Sequence, residues 1–108
     1  MLTPEDISRY QENLQAERDA QTLYRCLAEH EKDPALTAVY QKLAQTEGGH
    51  ADVWEEKLRQ AGAPVPAYRT SWRTRVLCRL AAMFGPSFVV PTIAAIEAEW
   101  WGARNGRR

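Results

Sequence analysis

The turn Glu31-Lys32-Asp33-Pro34 decides the fold. Asp33 is a good helix N-cap and Pro34 suits the first helical position, so a helix ending near Glu31 is followed almost at once by another. So short a connection obliges the two helices to lie antiparallel as a hairpin. Upstream, Thr3-Pro4-Glu5-Asp6 offers a cap, a first-turn proline and two acids at the positive end of the helix dipole, which starts the first helix at about Pro4. Downstream, the second helix ends near Gly62, where Gly62-Ala63-Pro64-Val65-Pro66 interrupts any helix. Residues 1–62 therefore form a helical hairpin and residues 63–70 a stiff Pro-rich linker. Residues 71–101 supply two further helices. Thr70 or Ser71 caps the first of these, which runs through Phe84 with an apolar stripe of Trp72, Val76, Leu77, Leu80 and Phe84. Gly85-Pro86 stops it, and the last helix starts there or at Pro91 and ends about Trp101. The basic tail, residues 102–108, is expected to fray. No strand-like alternation persists anywhere, so the chain reads as all-α.

A length of 108 residues allows one domain with one modest core, and 44% apolar with 26% charged residues is ordinary for a globular chain. Fourteen basic and fourteen acidic side chains cancel, which gives no case for nucleic acid. The cancellation hides an asymmetry: residues 1–62 hold twelve acids and seven bases, residues 63–108 two acids and seven bases. Cys26 and Cys78 form no CxxC pair, so the chain is expected to be reduced and cytoplasmic. The start Met1-Leu2-Thr3-Pro4-Glu5-Asp6 is no signal peptide, and Val76–Ile96 is broken by Arg79, Gly85, Pro86 and Pro91 before it reaches the ~20 apolar residues of a span.

Three ionisable residues sit where core residues belong. The buried stripe of the first helix is Ile7, Tyr10, Leu14, Glu17, Gln21, Tyr24 and Ala28. That of the second is Leu36, Tyr40, Leu43, Glu47, His50, Trp54 and Leu58. With the turn centred near residues 32–33, positions whose numbers sum to about 65 lie opposite each other. Glu17 then faces Glu47 and His50, while Leu14 meets Ala51, Tyr24 meets Tyr40, Tyr10 meets Trp54 and Ile7 meets Leu58. Burying two facing carboxylates costs several kcal/mol each unless something neutralises them. A divalent cation does so, and oxygen ligands with one imidazole suit iron, manganese or zinc. Glu-x-x-His places carboxylate and imidazole on one helical face. By itself that tetrapeptide is a weak signal, and its place in the stripe and the hairpin is what sharpens it. The plain alternative is a hydrogen-bonded core histidine beside a surface-leaning pair of acids.

Glu17-Arg18-Asp19-Ala20 with Leu23-Tyr24-Arg25, and Leu43 through Ala51, resemble the two metal helices of the ferritin-like superfamily, in particular its rubrerythrin-type branch. Phe84-Gly85-Pro86, Val90-Pro91-Thr92 and Ile96-Glu97-Ala98 are similar to the segment before the third metal helix in rubrerythrin-like domains that precede the transporter of vacuolar-iron-transporter-like membrane proteins. The resemblance covers about residues 5–101. It implies a di-iron site with Glu17, Glu47 and His50 as metal-binding and catalytic residues and Glu97 as a further ligand, with Glu99 as a nearby competitor. It also implies ferroxidase or peroxide-reducing activity, an external electron donor, and iron handed to a store or a membrane transporter. A four-helix site of this kind takes a second Glu-x-x-His, which these residues lack. Two repairs are open: the chain is a fragment of a longer protein, or two copies pair their hairpins as a homodimer and complete the incomplete bundle. The encapsulated ferritins, which build their site between subunits, resemble the second case, and Trp100-Trp101 would join that interface. Tyr24 and Tyr40 are either redox-active neighbours or plain core tyrosines. A different class of function is a metal-free helical adaptor that docks on a protein or membrane through Arg69, Arg73, Arg75 and Arg79.

Overall fold

The structure, a computed structural model, describes residues 2–104, with side chains as far as residue 99. It is all-α: α1 (Pro4–His30), α2 (Pro34–Gln60), α3 (Trp72–Phe84) and α4 (Pro86–Arg104). Each start has a local cause. The Thr3 hydroxyl accepts from the Asp6 N–H and the Asp6 carboxylate accepts from the Thr3 N–H, both at 3.1 Å, a reciprocal capping box. Asp33 Oδ1 accepts from the Ala35 N–H at 2.9 Å and opens α2. Ser71 rather than Thr70 caps α3, its hydroxyl accepting from the Thr74 N–H at 3.3 Å. Gly85, at φ 91°, makes the corner into α4, a conformation that favours glycine. α4 begins at Pro86 and continues through Pro91, and Gly102 to Arg104, expected to fray, are helical. Residues 105–108 of the expected tail, and the side chains of Trp100 and Trp101, lie outside what is described.

α1 is the central element: α2 and α3 both pack along it, and α4 packs along α3. Near the open end of the hairpin, Leu14, Ala51 and Leu58 are buried with Ile7, Tyr10 and Trp54 against them, the Tyr10 and Trp54 rings 5.2 Å apart. Near the turn, Leu23, Tyr24, Leu27 and Ala44 join Leu77, Ala81, Val89 and Ile93 in a second cluster, with Tyr40 against it. The stripes differ from their sequence reading in which residues they bury. On α2, Ala44 and Ala51 are buried, whereas Leu36 and Leu43 stay substantially exposed. On α3, Thr74, Leu77 and Ala81 face inward while Trp72 and Phe84 are 64% and 56% exposed. Small side chains let helix axes approach closely, and the bulky ones are then rotated to the outer faces.

The segment between α2 and α3 returns along α1 and is strapped to it. Gln11 donates to the Pro64 carbonyl at 3.0 Å, Arg18 to that of Pro66 at 2.9 Å and Gln15 to that of Arg69 at 2.8 Å. Asp19 Oδ1 accepts from the Tyr68 hydroxyl at 2.8 Å and from the Ser71 N–H at 3.2 Å. These bonds satisfy backbone carbonyls that a free loop would leave to water. Asp19 meets Ser71 across 52 positions, and two turns later Cys26 meets Cys78 across the same 52. α3 therefore runs parallel to α1. That register brings the two cysteine Cα atoms to 5.7 Å, and they form a disulfide. The expectation of reduced cysteines is thereby corrected: spacing along the chain carries no information about a contact created by the return of the linker.

The bond closes a loop of more than fifty residues, for which the chain-entropy account gives about 4 kcal/mol. Joint replacement by Cys26→Ser and Cys78→Ser is expected to lower the thermal midpoint by at least ~10 °C, as calorimetry of the two proteins will show.

Candidate metal centre

Glu17 projects from the middle of α1; Glu47 and His50 project from α2, one turn apart on one face. Their ligand atoms lie within 4.8 Å of one another. His50 Nδ1 stands 3.3 Å from Glu47 Oε1 and 3.6 Å from Glu17 Oε1. Leu14 and Ala51 close the layer on one side, and Tyr24 and Ala44 belong to the cluster on the other. Glu17 and Glu47 therefore meet in an apolar frame. The three are not equally withdrawn from water: side-chain exposure rises from 4% for Glu17 through 18% for Glu47 to 55% for His50. The sequence reading placed His50 in the core; it stands instead at the mouth, with the carboxylates beneath it. α2 is rotated so that Ala44 and Ala51 face α1, which swings position 50 to the rim.

The electrostatics follow from that placement. Burial pushes Glu47 up to about 7, and the facing Glu17 carboxyl, which hydrogen-bonds it, adds to the rise; His50 works in the opposite direction. In the absence of a cation Glu47 therefore keeps its proton to higher pH than an exposed carboxyl does. Gly48, beside Glu47, lies so close to α1 that a methyl group there would overlap the Gln21 amide. The helices can thus approach at the level where the carboxyls meet.

The same residues line one wall of a cavity of about 500 Å³. Leu23, Leu77, Ile93 and Ile96 form its apolar walls, and Arg73 stands at its edge. Among the described residues α2 packs chiefly on α1 and α4 chiefly on α3. Glu97 lines this cavity but stands outside the Glu17–Glu47–His50 group: its Oε2 accepts from the Tyr24 hydroxyl at 2.7 Å. Glu99 is exposed, so of the two acids on α4 it is Glu97 that faces the site. Burial first, then the bond to Glu97, pushes the Tyr24 phenol well above its ordinary range, so it serves as a neutral donor. Tyr40 is raised by burial and then by Glu31. The tie between Tyr24 and Glu97 was not legible in the sequence, because it joins positions 73 apart on elements whose register depends on the linker. Arg69, Arg73, Arg75 and Arg79 are all exposed, and Arg73 lies over the Trp72 ring at 5.7 Å.

The raised Glu47 fixes the sign of a pH effect on the metal-free protein. The folded chain keeps a proton up to about 7 that the unfolded chain releases near the ordinary value of 4.5. Stability contributed by that protonated carboxyl is therefore present below this window and lost as pH rises through it. Urea midpoints of the metal-free protein are expected to fall between about pH 5 and pH 7.5, and Glu47→Gln should flatten that slope.

Compared with protein-family models, with curated proteins and with solved structures, the chain matches none of them.

Proposed function

We propose that this chain binds a divalent transition-metal ion, iron in preference to manganese or zinc, through Glu17, Glu47 and His50. The observation that carries the reading is the convergence of two carboxyls and an imidazole within 4.8 Å in an apolar frame. The donor set fits such an ion: Glu17 is almost fully buried, Glu47 gives up its proton at near-neutral pH, and His50 offers a ring nitrogen at the solvent side. Bound iron would supply one-electron chemistry with dioxygen or peroxide, the ferroxidase or peroxide-reducing reaction.

The protein's own residues divide the remaining work. Glu17 and Glu47 cancel the charge of the ion where water cannot. His50, at the rim, leaves the approach open. Tyr24 holds Glu97 beside the group, a further acid within the same cavity. Three ligands suffice for one ion. A second iron requires further carboxylates and another imidazole, and a second copy of the chain would bring them. Electrons for turnover come from another protein.

Titration with Fe(II), read by native mass spectrometry, is the test, because it gives metals and copies together. One tightly held metal per chain is expected, or two per pair if copies associate. Glu47→Ala is expected to weaken binding by at least about 100-fold, since even loss of a partner behind a ligand costs 10–100-fold. Binding that is absent, or equal in the variant, rejects the reading.

A second reading is favoured by the outer face of α3, where exposed Trp72, Val76 and Met83 lie among Arg75 and Arg79. Such a face suits an adaptor docking on an anionic membrane surface. Flotation with phosphatidylserine vesicles at low salt is expected to carry the protein upward, with Arg75→Gln and Arg79→Gln together abolishing it; no flotation discards this reading.

A further inference from the structure

The Cys26–Cys78 bond lies at the joint between the two halves of the site. α1 and α2 carry Glu17, Glu47 and His50; α3 and α4 carry Leu77, Ile93, Ile96 and Glu97, the opposite wall of the cavity. The hairpin is held by its own extensive packing. What fastens α3 and α4 to it, among the described residues, is slighter. The fastenings are the larger of the two apolar clusters, the bonds of Gln11, Gln15, Arg18, Asp19 and Thr22 to the linker and Ser71, the Tyr24–Glu97 bond and the disulfide. Asp19 holds only the entry to α3, and α4 lacks extensive packing on α2. Cys26 follows Tyr24 by two positions on α1, and Cys78 follows Leu77 directly on α3. The covalent tie therefore joins the helix that positions Glu97's partner to the helix that lines the cavity.

Both cysteines are only partly buried, unlike their neighbours Leu27 and Leu77. Exchange with an external thiol requires access to one of the two sulfurs, and neither cysteine is fully enclosed. We infer that Cys26–Cys78 is a reducible latch that sets whether Glu97 stands beside the metal centre, opened by a dithiol reductant. The inference rests on the metal reading proposed above. In the opening step one dithiol attacks the S–S bond through a mixed disulfide. Two electrons and two protons pass to Cys26 and Cys78, which become thiols, and the reductant leaves as its own disulfide. With the cross-link gone, the lost loop constraint lets α3 and α4 swing from the hairpin as a unit, while Glu17, Glu47 and His50 stay together on α1 and α2. The reduced protein keeps three ligands, and the oxidised one has Glu97 within reach as well.

Two measurements separate this latch from the metal reading. The first is amide hydrogen exchange on the full-length, metal-free protein, oxidised and after dithiothreitol. Exchange over residues 86–99 is expected to speed up at least tenfold on reduction, with residues 10–19 and 47–58, which lie outside the cluster shared with α3 and α4, little changed. Unchanged exchange over residues 86–99 overturns the latch whether or not any metal binds. The second is a Co(II) titration, after removal of the reductant, of the wild type and Glu97→Gln in both states, with Cys26→Ser/Cys78→Ser as a form that stays open. Oxidised wild type is expected to bind at least tenfold more tightly than its reduced form. Glu97→Gln should remove that difference without further weakening the reduced state. Equal Co(II) affinity in the two states of the wild type overturns the coupling while leaving the three-ligand site intact. Loss of Co(II) binding in every form rejects the metal reading and, with it, the coupling.

Discussion

The Glu17 carboxyl, 3% exposed on a seam of leucine, alanine and tyrosine, is the constraint around which the rest of the structure is arranged. An acid withdrawn from water costs several kcal/mol unless something compensates it at the same depth. Here the compensation comes from the opposite helix, where the Glu47 carboxyl hydrogen-bonds it and His50 approaches from the solvent side. The hairpin must therefore be in register at that level, and Ala44, Gly48 and Ala51 let α2 come close enough to achieve it. The apolar layers on either side withdraw the two carboxyls from water, while His50 keeps the polar layer in contact with solvent at its rim.

Close approach has a consequence at the surface. Because small residues occupy the contacts between helices, the large apolar ones are displaced outward. Leu36, Val39 and Leu43 of α2 stay substantially exposed, as do Trp72, Val76, Met83, Phe84 and Phe88 around α3 and the corner into α4. Phe84 and Phe88 partly cover one another, their rings 5.0 Å apart. The cavity beside Glu17 is lined from both pairs of helices.

The linker does more than connect. Five α1 side chains, from Gln11 to Thr22, hold it, and its course fixes α3 parallel to α1 with an offset of 52 positions. That offset decides two contacts with chemical content, the Cys26–Cys78 bond and the Tyr24–Glu97 hydrogen bond. Both tie the second pair of helices to the first. Neither arises from the hairpin that carries Glu17, Glu47 and His50.

Local chemistry in the sequence determined the helices and the polar layer. Thr3-Pro4, Asp33-Pro34 and Gly85-Pro86 act within one turn of themselves, so their effect on backbone direction needs no tertiary information. A turn of three residues likewise fixes which positions of two helices stand at equal height, which is why Glu17, Glu47 and His50 could be placed together from their numbers alone. Tertiary structure decided everything that depends on helix rotation or on a long return path. It put His50 at the rim rather than in the core, turned Trp72 and Phe84 outward, joined two cysteines expected to be free, and gave Glu97 to Tyr24. The physical reason is shared. Periodicity specifies a face to within about one residue's rotation, and only the packing of alanines, glycines and the strapped linker against particular neighbours selects among the rotations that periodicity allows.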